Sequence, residues 1–138
     1  LVSAKKKQEI LDLSANHHFR LIAISSSLSL NKILWSINSN CGFKLIKNAE
    51  LEEVIQAPIF TDKISKPQTQ VSLIPNKLET GLLVKQLTNI DFILEINGNI
   101  PESEFKQTIQ CIKKIDGVMA AIETPPSSIK RKDPFCPE

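Results

Sequence analysis

The chain has 138 residues, 41% hydrophobic and 23% charged, enough for one buried core but not several, since a chain of this size hides roughly two-thirds of its unfolded surface. No run of about 18 apolar residues is present, which excludes a membrane-spanning helix, and a net charge of +2 is too small to call for a polyanionic partner. Three cysteines, Cys41, Cys111 and Cys136, cannot all pair within one chain and none stands at zinc-knuckle spacing, so reduced structural thiols are expected.

Residues 1–16 read as a lead-in. They open Leu1-Val2-Ser3-Ala4 and turn to Lys5, Lys6 and Lys7 without the apolar stretch of a secretory signal, which points to the cytoplasm. Ile10, Leu11 and Leu13 suit either a short helix or an added edge strand. Residues 17–124 read as a single α+β domain. Phe19 to Ser25 is a strand apolar on both faces, the mark of an interior position in a sheet. Ser25, Ser26 and Ser27 offer hydroxyls to cap a helix from about Leu28 to Asn40. On that helix Leu30, Ile33, Leu34, Ile37 and Cys41 form a buried stripe, Trp35 lies beside it at the core edge, and Gly42 suits the left-handed stop.

Phe43 to Ile46 is a short extended piece, and Asn48 begins a short helix to Ile55 with Glu50, Glu52 and Glu53 near its positive end. Ile59 to Ile64 and Thr69 to Ile74 form a hairpin around Ser65-Lys66-Pro67-Gln68. Asn76 to Thr80 is a loop, and Gly81 to Val84 a brief strand that leads through Lys85 to Asn89. The strongest pattern follows. In the strand Ile90 to Asn97, Ile90, Phe92, Leu94 and Ile96 alternate with Asp91, Ile93 and Glu95. After Asn97-Gly98-Asn99, Pro101 opens a helix to Ile115 with Glu102 and Glu104 in its first turn and Phe105, Ile109, Ile112 and Ile115 on one side. Gly117 ends it, Val118 to Glu123 returns as a strand, and residues 125–138 form an extended tail.

This order is that of a ferredoxin-like, split βαβ, two-layer sandwich: a mostly antiparallel sheet, two main helices on one face and an extra hairpin. The other face is expected to carry Arg20, Ile22, Ile24, Asp91, Ile93, Glu95, Met119 and Glu123. That set is too apolar for comfortable exposure and is the candidate interaction surface, covered by a second copy through the open face or along an edge strand.

Candidate chemistry yields to plainer readings. His17 and His18, entering a strand side by side, point to opposite faces and do not share a metal. Ser25 to Ser27 could hold a nucleophile or a phosphate, but no glycine-rich loop or P-loop lysine accompanies them, and capping accounts for them. Asp91, Glu95 and Glu123 would form a carboxylate cluster only if their strands were adjacent. With the Arg20 strand between them, an ion pair to Arg20 is the better reading. Cys41 and Cys111 lie on or beside apolar helix faces, and Cys136 lies in the tail. The basic ends, Lys5 to Lys7 and Lys130 to Lys132, could touch RNA, yet aromatics make up only 5% with no tyrosine, and the RNA-recognition signature is absent. The expectation is a non-enzymatic module with no cofactor or metal, acting through protein contacts and self-association. An RNA- or ribosome-associated accessory protein and a small-ligand sensor are the alternatives.

Phe19-Arg20-Leu21-Ile22-Ala23-Ile24-Ser25-Ser26, Trp35-Ser36-Ile37-Asn38, Asn76-Lys77 and Gly81-Leu82-Leu83 resemble the IPExxxVDY family of small Bacteroidota proteins. The signature would occupy Val84 to Phe92. Val84 stands for the Ile, Lys85 and Gln86 replace Pro-Glu, Ile90 and Asp91 match Val-Asp, and Phe92 replaces Tyr. The resemblance implies lineage and a cytoplasmic bacterial protein, and it carries no activity. Any proton-transfer or metal role of the signature Glu is one that Gln86 does not serve.

Overall fold

A computed structural model describes residues 19–66 and 68–125. The lead-in, His17, His18, both lysine-rich ends and Cys136 lie outside the described residues. The elements run β1 (Phe19–Ser26), α1 (Leu30–Cys41), β2 (Ile46–Lys47), α2 (Ala49–Ile55), β3 (Phe60–Asp62), β4 (Thr69–Pro75), β5 (Lys77–Leu78), β6 (Gly81–Leu82), β7 (Phe92–Gly98), α3 (Glu102–Lys113) and β8 (Val118–Thr124). The architecture is α+β. Six strands form one antiparallel sheet in the order β2-β3-β4-β7-β1-β8, and β5 pairs with β6 in a separate small ladder.

β1 is apolar on both faces because it is interior, hydrogen-bonded to β7 on one side and β8 on the other. Its Ile22 and Ile24 join Phe92, Leu94 and Ile96 of β7, Val71 and Leu73 of β4 and Ala121 of β8 under α1 and α3. The helices contribute Ile33, Ile37, Phe105 and Ile112, all but inaccessible to water, with Ile115 just beyond α3. At about 1.5–3 kcal/mol for each fully buried large aliphatic or aromatic side chain, this layer is the main source of stability.

The sheet's other face is not bare. Leu21 and Ile93 pack against Val84, and Ile74 packs against Leu83 together with Ile55 and Ile59 from α2 and the segment that follows it. Residues 83–90 and α2 therefore cover the centre of the face expected to be open. The reason is local. Leu83, Val84, Leu87 and Ile90 fit neither a helical nor a strand period, and a single buried side chain, Asn76, holds their backbone in place.

The ends of α1 differ in detail from the serine-cap expectation. Ser29 is the cap, its Oγ accepting from Lys32 N at 3.3 Å, while Ser26 Oγ accepts from Leu28 N at 3.0 Å and donates to Gly117 O at 2.8 Å. Ser26 thus ties the exit of β1 to the turn before β8. Gly117 has φ +100, and a Cβ there would stand 2.7 Å from Leu28 Cγ, so conformation and space both require glycine. Trp35 does not cover the core edge: it is 69% exposed, because its position on the helical wheel falls off the stripe that Ile33 and Ile37 define.

Candidate interaction surfaces

The residues expected on one open face divide between the two faces of the sheet. Arg20, Ile22, Ile24 and Glu123 belong to the helix-covered face, where Ile22 and Ile24 are fully buried. Ile93 is buried on the opposite face against Val84, and Glu95, opposite Leu21, shares that face. Arg20 can sit on the helix side because it lies near the start of β1, where its stem reaches the sheet margin. The guanidinium stacks 3.6 Å from the Phe105 ring centroid while its head stays in contact with water. Nε and Nη2 donate to the two oxygens of Glu123 at 3.0 and 2.8 Å, and Nη1 donates to Glu102 Oε1 at 2.7 Å. This fork raises the Arg20 pKa further, through Glu123 first and Glu102 second, and the Arg20 hydrogen bond lowers that of Glu102.

The three carboxylates share no site. Glu123 is taken by Arg20. Asp91 accepts from Ser26 N at 2.8 Å through Oδ2 and pairs with Lys77 Nζ at 2.9 Å through Oδ1. The Arg20 ion pair with Glu123 stands as expected, and the one with Asp91 does not. Glu102, the second partner, is a member that strand reasoning missed, because it belongs to the first turn of α3.

Two edges remain as surfaces. β8 pairs only with β1, so its outer backbone row has no strand partner among the described residues. Val118 to Thr124 contains no lysine or proline, and its one charge, on Glu123, is matched by Arg20. Met119 is 69% and Ile122 53% exposed. The edge is interrupted by a register shift at Met119, where Ser25 pairs with Ala120 and Ser26 with Val118, but from Ala120 to Thr124 it carries no lysine, proline or bulge to discourage further pairing.

At the opposite edge, β2 and the turn after β3 enclose an open groove of about 430 Å³ flanked by Lys44, Lys47, Lys63 and the exposed Ile46 and Ile64. Hydrogen bonds in and beneath its lining hold the pieces together. Asn48 caps α2 through Leu51 N and donates to Thr61 Oγ1 at 3.3 Å, which in turn contacts Ser72 Oγ at 3.2 Å. Asp62 accepts from the backbone N–H groups of Lys44, Ile64 and Ser65 at 2.8 to 3.0 Å. Burial pushes the Asp62 carboxyl up, but hydrogen bonds from the Ser65 hydroxyl and from those three amides outweigh it and hold the group at about 2. Sequence reading missed this groove because its lysines come from two segments that only the β2–β3 pairing brings together. The visible trace was an isoleucine next to a lysine in each segment, Ile46-Lys47 and Lys63-Ile64.

The signature-like segment serves packing. Val84 is fully buried, Phe92 lies in the main core, and Lys85 and Gln86 face solvent. Cys111 Sγ donates to Asn40 O at 3.0 Å, and burial together with the neighbouring Cys111 pushes the Cys41 thiol up. Both thiols are free. Among the described residues, no helix is long and apolar enough to cross a membrane. The chain matches no model of a known protein family, no curated protein and no solved structure.

Proposed function

We propose that this chain is a non-enzymatic module of a cytoplasmic bacterial protein, with a ferredoxin-like scaffold, that works by self-association through β8. The carrying observation is the outer edge of β8: seven residues without a strand partner among the described residues, carrying exposed Met119 and Ile122 and no gatekeeping lysine or proline. A second copy laid antiparallel across it, with the two-fold axis at Ala121, sets Ala120 opposite Ile122, with Glu123 next to the bulged Met119 of the other copy. No like charges then face each other.

The scaffold reading rests on strand order. With β2, α2, β3 and residues 76–90 set aside, β1-α1-β4 and β7-α3-β8 are two interleaved split βαβ units in the order β4-β7-β1-β8. The IPExxxVDY resemblance supports the bacterial and cytoplasmic part of the reading.

Analytical ultracentrifugation across a concentration series tests it. The wild type is expected to dimerise, and Ile122→Lys to stay monomeric with an unchanged thermal midpoint, since the side chain it replaces is already half in water. A wild type that stays monomeric at its highest soluble concentration overturns the proposal.

A further inference from the structure

Cys41 and Cys111 come from different helices and meet at the seam between them. Cys41 closes α1, one turn beyond the buried Ile37, and Cys111 sits in the last turn of α3, one turn beyond the buried Thr108. Cys111 Sγ donates to Asn40 O at 3.0 Å, which sets that sulfur against the residue preceding Cys41, and the Cys41 thiol itself hydrogen-bonds to the Cys111 side chain. Both residues are partly exposed, so a small oxidant reaches them from solvent. Neither serves the β8 edge or the groove beside β2.

We infer that Cys41 and Cys111 form a reversible redox pair, which hydrogen peroxide converts into a disulfide linking α1 to α3. Burial, and then the neighbouring Cys111, hold the proton on Cys41, so Cys111 supplies the first thiolate. Its sulfur attacks one peroxide oxygen, the O–O bond breaks, and the leaving hydroxide takes a proton to become water, which leaves Cys111 as a sulfenic acid. The thiolate that opposed ionisation of Cys41 is then gone. The Cys41 sulfur attacks the Cys111 sulfur, the S–S bond forms as the S–O bond breaks, and the hydroxide departs with the Cys41 proton as a second water. Two thiols thus give up two electrons to one peroxide, and a dithiol reductant returns them. The contact surrendered at Asn40 O is a weak S–H donor bond. The bridge closes a loop of roughly 70 residues and restricts that loop in the unfolded chain, so oxidation stabilises the fold.

The full chain is treated with excess hydrogen peroxide, alkylated under denaturing conditions and mapped by mass spectrometry. Expected are a single chain lighter by two hydrogens, a peptide cross-linked between Cys41 and Cys111, recovery of both thiols with dithiothreitol, and a thermal midpoint about 5 °C higher in the oxidised form. In Cys41→Ser the reaction should stop at its first step, with Cys111 trapped by dimedone, and in Cys111→Ser dimedone labelling of Cys41 should be roughly tenfold weaker. The inference is overturned if both thiols stay open to alkylation after a parallel glutathione sample is consumed, or if a bridge to Cys136 or to a second chain forms in place of the internal one. Sulfinic acid at Cys111 without a bridge, a bridged form that melts below the reduced one, or equal dimedone labelling of the two single variants would overturn it as well. The ultracentrifuge result for Ile122→Lys is independent of each of these outcomes.

Discussion

Asn76 shows how one polar side chain can decide the covering of a sheet face. It is fully buried, its Nδ2 donates to Leu87 O at 2.8 Å and Ile90 O at 3.0 Å, and its Oδ1 accepts from Val84 N at 2.7 Å. Its own backbone N–H donates to Asp91 O and its carbonyl accepts from Leu83 N. Every polar atom of the residue is used, and all of them hold residues 83–91 over Leu21, Ile74 and Ile93. Asn76→Ala removes the partners of two carbonyls and an amide that stay largely out of water. At about 1–3 kcal/mol for each unmet group, a loss of roughly 3 kcal/mol or more is expected in urea unfolding. Asn76→Asp should do no better, since a carboxylate cannot donate to the two carbonyls. A loss below about 1 kcal/mol for the alanine variant would mean that the segment holds without its anchor. The sequence contains this residue in plain view, between Pro75 and Lys77, where an asparagine reads as turn chemistry. Nothing local separates an Asn that starts a turn from one whose side chain replaces a strand partner.

At the scale of elements, the sequence was most legible where one period runs unbroken. β7, α3 and β8 fall within about two residues of their expected bounds, and Phe92, Leu94 and Ile96 face the helices as their alternation with Ile93 and Glu95 implies. β1 was ambiguous for a physical reason: period 2 says that two faces differ, and here both are apolar, so Arg20 was free to suggest the wrong one. Its aliphatic stem and fork let it lie over Phe105 at the core margin. The groove beside β2 was illegible because it is made of tertiary contacts between short pieces, and the residue that joins them, Asp62, is an ordinary turn aspartate in sequence. Its titration gives a direct test. The folded value of about 2 lies below the ordinary 3.8, so the stabilisation is full above pH 4 and is lost as pH falls from 4 toward 2. Asp62→Asn should therefore be less stable than wild type by about 2 kcal/mol near neutrality, with the gap closing across that acid window. A gap independent of pH would assign the loss to packing rather than to the charge.

At the scale of the molecule, strand order is the property that no local pattern contains. The sheet is widened by β2 and β3 on one side of β4 and ends at β8 on the other, so its two margins differ in kind: one basic and grooved, the other apolar with a single bulge at Met119. Coverage of both faces in the middle leaves the β8 margin as the place where the proposed second copy would add to the sheet, and this geometry would set the shape of that dimer. Two six-stranded sheets joined through β8 span roughly 55 Å across the strands at about 4.8 Å per strand. A face-to-face pair keeps the width of a single sheet and stacks at about 10 Å between layers. Small-angle X-ray scattering on the dimer fraction separates the two arrangements. The edge-joined form is expected to give an elongated particle whose distance distribution has a long tail and a rod-like cross-section. A compact, symmetric distribution would mean that the copies meet by their faces, which requires residues 83–90 to move off Leu21 and Ile93. That second outcome predicts its own signature, since Asn76→Ala would then promote dimerisation, whereas an edge-joined dimer gains nothing from uncovering the face.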